Sequence, residues 1–323
     1  MVQSPDEAHY TRIANRILDG RVVPFLGAGV NLCGRPESMS FQLGRYLPSG
    51  SELAKYLASH NNYPYKDRDD LLRVAQYVDV MLGLQPLYEE LHDVFDADYE
   101  PTPVHRLLAS LPSLIRGRPS DEPKFFPLIV TTNYDDALER ALQDAGEEYD
   151  LVTYIADGPT SGRFLHTSPG GGVPRVIRRP NTYTELRFGE RPVVAKIHGT
   201  VARGMQSGDS FVITENHYID YLSRTDISQL IPVHIAERMR QSHFLFLGYS
   251  LKDWNLRVIL HRIFQNAPWG YSSWAVQLMP DSIEERSWFR RGVELLDARL
   301  EEYIDRLGAA LAISASATTS EMS

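Results

Sequence analysis

The sequence predicts an α/β protein: a doubly wound, mostly parallel sheet with a helical subdomain inserted between its first two strands. Two observations carry this. Four short apolar runs, Val22–Leu26, Leu128–Thr131, Val193–Ile197 and Phe244–Leu247, are continuously hydrophobic, as buried parallel strands are, rather than alternating. Stretches with apolar residues at helical spacing separate them. Each run also stops at small or polar residues: Gly27-Ala28-Gly29, Thr132-Asn133, His198-Gly199 and Gly248-Tyr249-Ser250. Open, Rossmann-like sheets bind ligands at the carboxyl ends of their strands, so these four ends are expected to line one pocket.

The chain has 323 residues, enough for a full core. A hydrophobic share of 43% with 23% charged is that of an ordinary globular protein. The formal net charge of −9 argues against direct nucleic-acid binding, which needs clustered Lys and Arg to neutralise phosphates. The one basic run, Arg175-Val176-Ile177-Arg178-Arg179, reads as a solvated loop. No apolar stretch reaches the length of a membrane span. Met1 to Asp6 are polar and acidic, without the apolar core of a signal peptide, so a cytoplasmic location is expected. The single cysteine, Cys33, permits neither an internal disulfide nor a cysteine-cluster zinc site, and no zinc is expected. It follows the first glycine-rich turn, where a reactive thiol and a plain small residue both fit.

Taken in order, Ile13, Ile17 and Leu18 predict a helix over 8–19 that leads into the first strand. Glycines in Gly27-Ala28-Gly29-Val30-Asn31 let a phosphate or ribose approach the backbone, and a following helix N-terminus can bind an anion. Leu32 stands where a full dinucleotide fingerprint has its third glycine. Residues 32–50 lack periodicity and read as a mobile loop able to fold over a ligand. Helical patterns follow at 50–59, 69–82 and 84–95, and Thr102-Pro103 starts another through Val104, Leu107, Leu108 and Leu111. This helical insertion, about 50–113, is expected to pack over the ligand-binding edge. Its His60, His92 and His105 read as surface or capping residues.

After the strand at 127–131, a helix is predicted from Ala137, Leu138, Ala141 and Leu142. Residues 155–191, with Gly170-Gly171-Gly172, read as an elaborated loop or β-hairpin and a candidate oligomer contact. The strand at 192–197 precedes a short strand Phe211–Ile213 and a helix from Thr214 to Ser223, whose Thr214 and His217 partly fit a capping box. A helix at 227–241, a strand at 243–248, a helix from near Asp253, a strand at 273–278 and a terminal helix at 283–311 complete the reading. Residues 1–313 are expected to form one domain and 314–323 a disordered tail.

The four strand ends, in this order, resemble the sirtuin family over about residues 20 to 255. Gly27-Ala28-Gly29-Val30-Asn31 resembles its Gly-Ala-Gly-x-Ser loop, and Thr132-Asn133-Tyr134-Asp135 its Gln-Asn-x-Asp motif. His198-Gly199 is similar to its His-Gly pair, and Gly248-Tyr249-Ser250 to its late Gly-x-Ser turn. The four-cysteine zinc ribbon of deacetylating sirtuins is missing, Gly34-Arg35-Pro36-Glu37 replaces their Pro-Asp-Phe-Arg segment, and Asn31 replaces the serine. Tyr134 and the run from Gly248 to Asn255 instead resemble the sirtuin-like domains of bacterial anti-phage systems.

The resemblance implies hydrolysis of NAD+, held as substrate, to nicotinamide and ADP-ribose. Breaking the nicotinamide–ribose bond builds an oxocarbenium-like charge, and nicotinamide leaves neutral, so the site must supply positioning, water and charge stabilisation. Asn133 would orient the water or ribose. His198 would act as general base or bind ribose hydroxyls, with an unperturbed pKa near working pH. Asp135 would hold the nicotinamide carboxamide. Gly27, Ala28 and Gly29 would cradle the pyrophosphate, Gly248 and Ser250 would face the adenosine, and Asn31 and Thr132 would also contact the NAD+. Each residue has a plainer reading: an Asx-turn at Asn133, a backbone-satisfied His198, a first-turn acid at Asp135. Control is expected from a homo-oligomer or a partner such as a HerA-type ATPase or an Argonaute. A non-catalytic NAD or ADP-ribose sensor is the competing reading, with a deacylase or ADP-ribosyltransferase behind it.

Overall fold

The computed structural model describes residues 4–119, 123–170, 172–204, 208–223, 231–249 and 272–320. Nine strands form the main sheet: β1 (Val22–Leu26), β2 (Leu128–Thr131), β3 (Asp150–Ile155), β4 (Arg163–Thr167), β5 (Arg175–Ile177), β6 (Val193–Lys196), β9 (His243–Leu247), β10 (Ser273–Gln277) and β11 (Val293–Asp297). A two-stranded ribbon of β7 (Gly199–Thr200) and β8 (Ser210–Phe211) lies apart. The order in the main sheet is β11-β10-β9-β1-β2-β6-β3-β4-β5. From β11 to β3 all neighbours are parallel; β4 and β5 add an antiparallel edge. The doubly wound, mostly parallel sheet is therefore present.

Strands β1, β2, β6 and β9 are buried along their whole length, which is why they read as unbroken apolar runs. One face is covered by α1 (Glu7–Leu18), α5 (Pro103–Gly117), α6 (Ala137–Asp144) and α10 (Leu300–Ser320), which share a core with Ile129, Val194 and Leu245. On the other, α8 (Val233–Arg240) and Trp288 of α9 (Ser282–Phe289) pack against Val130, Ala195 and Phe246. A third core belongs to α2 (Gly50–His60), α3 (Leu71–Leu82) and α4 (Leu84–Phe95), and closes on Tyr134, Val201 and Phe211. The insertion thus sits at the carboxyl edge as expected, but α5 has left it to cover the sheet. The Tyr88 hydroxyl on α4 shares its one proton between Asp157 and the Phe211 carbonyl, and His92 pairs with Asp209 at 2.9 Å. His105 caps its own helix with Thr102, while His217 and Thr214 close a capping box in front of α7 (Glu215–Ser223).

Several expectations are corrected. Of the two forms expected for residues 155–191 the structure has the hairpin and not the loop: antiparallel β4 and β5 extend the sheet from β3, a strand whose mixed Asp150-Leu151-Val152-Thr153-Tyr154-Ile155 hides its pairing. The terminal helix expected at 283–311 is split, because Gly292 at φ +80° ends α9 and turns the chain into β11. Helix α10 then continues through Ser320, past the expected boundary at 313, with Leu311 and Ser314 buried. The loop over 32–50 is pinned rather than loose. The Glu52 carboxylate accepts from Arg35 Nη2 and from the Phe41 and Ser49 amides, and the Glu52 amide donates to Ser49 Oγ in the cap. Burial alone would raise the Glu52 pKa, but these bonds outweigh it and lower it. The helix predicted near Asp253, with Trp254 and Asn255, lies outside the described residues.

At the point where the strand order reverses, β1 and β9 turn together. The Gly29 amide donates to the Gly248 carbonyl at 2.8 Å. Gly248 has φ +62°, and a Cβ there would lie 2.1 Å from the Val30 nitrogen. Gly248→Ala is expected to cost at least about 2 kcal/mol in denaturant unfolding, since strain and clash add; a loss below about 0.5 kcal/mol would show that the two turns can part. A second prediction concerns pH. Burial, with Arg12 adding to it, lowers the His9 pKa to about 4; burial lowers His105 to about 4 and also pulls His243 down. The fold favours the neutral rings, so their stabilisation is whole above about pH 6.5 and fades as pH falls toward about 4. Thermal midpoints measured down this range should fall, beginning well above the carboxylate range.

Candidate active site

The carboxyl ends of β6, β2, β1, β9 and β10 open into one cavity of about 960 Å³. Gly27, Ala28, Gly29, Asn31, Thr132, Asn133, Asp135, His198 and Gly248 all line it. Ser250 lies outside the described residues. Nine of the ten residues singled out from the sequence therefore meet in one place.

Local bonding explains how they are held. The end of β2 is stitched to the end of β1: the Thr132 amide donates to the Leu26 carbonyl at 3.2 Å, and Asn133 Nδ2 to the Gly27 carbonyl at 3.4 Å. The Asn133 amide donates to Thr131 Oγ1 at 3.0 Å, so the chain turns within two residues of the strand. Beneath the turn Lys196, fully buried, donates to the Tyr134 and Asp135 carbonyls and to Glu139 Oε1. His198 sits between the ring edges of Tyr218 and Tyr221, with centroids 5.5 and 6.2 Å away. Gly199, at φ +91°, lets Ser210 approach: a Cβ would lie 2.0 Å from its carbonyl oxygen. That contact explains the His-Gly pair without any ligand.

The glycines of the first loop also act on the protein itself. The Gly27 and Gly29 amides are taken by the Leu247 and Gly248 carbonyls. A side chain on Gly27 would meet Tyr249, and one on Gly29 would meet Gly248. Cys33 is buried, and burial pushes its thiol up to about 12, so the small-residue reading of it holds.

Four residues lining this cavity each carry a buried polar atom with no hydrogen-bond partner among the described residues: Asn31 Oδ1, Asn133 Oδ1, Asp135 Oδ2 and His198 Nε2. A fifth, Gln277 Oε1, lies at the cavity's other end. Such atoms are costly inside a protein, so their gathering around one cavity marks a place where a polar ligand completes them. Asp135 lies just before the N-cap of α6 and divides its roles: Oδ1 accepts from the Ala137 amide at 3.1 Å in an Asx-turn, while Oδ2 stays unpaired. Asn31 likewise ties Nδ2 to the Pro48 carbonyl at 3.1 Å and keeps its oxygen open.

One expectation about chemistry is overturned. His198 is 3% exposed, and burial lowers its pKa to about 3, far from the working range assumed from its ordinary value. It is a neutral imidazole at physiological pH. Residues missed from the sequence include Gln277, the apolar wall of Leu53, Leu71 and Phe95 supplied by the insertion, and Lys196. None carries a motif. The wall comes from residues far away in the chain, and Lys196 looks like an ordinary charged end to a strand. Among the described residues lining the cavity there is no Lys or Arg, and none of the described residues form a cluster of three or more His, Cys, Asp or Glu placed to hold a metal.

The chain is similar to several known proteins. The NAD(+) hydrolase ThsA of Acinetobacter baumannii (strain 532279) is 28% identical over 264 residues, covering 78% of this chain and 41% of that protein. The ThsA of Cytobacillus dafuensis is 25% identical over 211 residues, 65% of this chain and 34% of its own length. The Defense-associated sirtuin 2 of Bacillus subtilis is 24% identical over 290 residues, 87% of this chain and 23% of that protein. The chain thus spans well under half the length of these relatives. The model of the SIR2-like domain matches residues 127–296, just over half the chain and three of the four strand ends. By that match, and by the strand ends that converge on its cavity, the chain belongs to the SIR2-like domain family.

Proposed function

We propose that this chain is an NAD+ glycohydrolase, cleaving the nicotinamide–ribose bond to release nicotinamide and ADP-ribose. The observation that carries this is the cavity's course along five consecutive strand ends. Four inter-strand spacings of about 4.8 Å give roughly 19 Å, a length suited to an extended dinucleotide rather than a single nucleotide. Three of the five unpartnered polar atoms, on Asn133, Asp135 and His198, belong to the β2 and β6 end of that course, where bond breaking would occur. The names of the relatives, NAD(+) hydrolase and defense-associated sirtuin, support the same reading.

In this reading the nicotinamide ring lies toward Asn133, Asp135 and the apolar wall, with Asp135 Oδ2 on the carboxamide. The ring carries positive charge that passes to the ribose as the bond breaks, and a carboxylate with neutral neighbours stabilises it better than a cationic pocket would. Asn133 Oδ1 accepts from the attacking water. Neutral His198 holds a ribose hydroxyl through Nε2, a hydrogen-bonding role that suits a ring not protonated in this range. Since nicotinamide departs neutral, no zinc is called for. No Lys or Arg is among the described lining residues and the Gly27 and Gly29 amides are already bonded, so the pyrophosphate would lie against the side-chain-free turn at Gly27–Gly29, with Asn31 and Thr132 beside it. Gly248, Ser250 and Gln277 would face the adenosine.

We read the chain as far as the end of α10 as one catalytic unit with an inserted helical module, acting in the cytoplasm as the effector of an anti-phage system. Its control is assigned to self-assembly or to a partner such as a HerA-type ATPase or an Argonaute. No helix among the described residues is long and apolar enough to cross a membrane. The test is nicotinamide release from NAD+ by the purified protein, alone and in its assembled states. Asn133→Ala and His198→Ala should each lower turnover by roughly a hundredfold or more while the protein stays folded. Turnover in the native protein should vary little between about pH 6 and pH 8; an acidic limb near 6.5 that His198→Ala removes would overturn the neutral imidazole. Tight NAD+ binding with no release in any state would replace this reading by the sensor.

A further inference from the structure

We propose that Lys196 and Glu139 form a buried positioning pair that holds the Asn133–Asp135 turn in its working shape, an inference that rests on the NAD+-cleaving reading of the site. Lys196 is the last residue of β6, two residues before His198, and has no exposed surface. An ammonium group has three protons to donate, and all three directions are used. They go to the Tyr134 carbonyl at 3.4 Å, to the Asp135 carbonyl, and to Glu139 Oε1 at 2.8 Å. The Tyr134 carbonyl also accepts from the Val201 amide and from Thr200 Oγ1. Two successive peptide planes are therefore held from below, and the Asn133 and Asp135 side chains on either side of Tyr134 stay turned to the cavity.

Stability alone does not account for this arrangement. Removing two charges from water is costly, and well-packed apolar residues in place of a buried ion pair are often neutral or stabilising. What an apolar pair cannot do is grip two backbone carbonyls. Burial raises the Glu139 pKa and Lys196 pulls it back, so Glu139 shares a proton and charge with the ammonium and tempers its opposition to the positive charge developing on the ribose. Lys196 and Glu139 are not themselves among the residues lining the cavity and reach it only through the backbone of Tyr134 and Asp135, so they are positioning residues.

The test replaces the pair together, as Lys196→Met with Glu139→Leu, so that no lone charge is left buried; Lys196→Gln with Glu139→Gln serves as a second, polar version. Both are compared with the native protein in thermal unfolding, NAD+ binding, nicotinamide release and amide hydrogen exchange. The expected result is a kcat lower by roughly a hundredfold, as for a small misplacement of reacting groups, with NAD+ affinity within about threefold and the thermal midpoint kept. Exchange should quicken at 133–136 and stay unchanged in β1 and β9. A kcat within about threefold of native, an equal loss of affinity and turnover, or unfolding of both versions would overturn the proposal. Should the native protein release no nicotinamide at all, the functional reading falls, and exchange at 133–136 still decides whether the pair holds the turn.

Discussion

Everything at this site depends on two turns meeting where the sheet changes direction. The amide of Gly29 reaches the carbonyl of Gly248, and neither position has room for a Cβ. Because β1 and β9 are neighbours at the reversal point, this contact sets how closely the loops above them approach. The stitching of β2 onto the end of β1 through Leu26 and Gly27 fixes Asn133 relative to the same point. His198 is placed from further along the sheet, by β6 beside β2 and by the ribbon that Gly199 brings against Ser210. Rigid strands thus deliver the polar groups, and little is left to loop flexibility.

The interior around these groups is unusually unforgiving. His198 is kept neutral by burial, and four polar atoms stand without partners beside the cavity. A fold selected for stability alone would satisfy or remove them. Their retention fits a site prepared for ligand groups that supply the missing hydrogen bonds, with little reorganisation left for the moment of reaction. The same burial that keeps a histidine from titrating makes it a dependable hydrogen-bonding partner.

The fold was legible where one residue type can do only one thing. Unbroken apolar runs announced β1, β2, β6 and β9, and small residues after them announced the cavity edge. Legibility failed where pairing or distant packing decides. Strand β3 alternates Thr, Tyr and aliphatic residues and gains its identity from β6 and β4; β11 lies inside a sequence that reads as helix until Gly292 breaks it. In the site, motif residues were found from their position at strand ends. Gln277, Lys196 and the apolar wall were not, because their roles exist only once separate elements have come together. The pKa of His198 was misjudged for the same reason: desolvation belongs to the packed protein, not to the residue.

The core of α2, α3 and α4 is nearly self-contained, meeting the rest of the protein through a handful of side chains such as Tyr134, Val201 and Phe211. Floor and roof of the cavity are therefore built from different interiors. The roof can be exchanged, reshaped or enlarged over evolutionary time while the strand ends below stay as they are. One reaction centre can in this way be offered to different molecules, or placed under different kinds of control, without its chemistry being rebuilt.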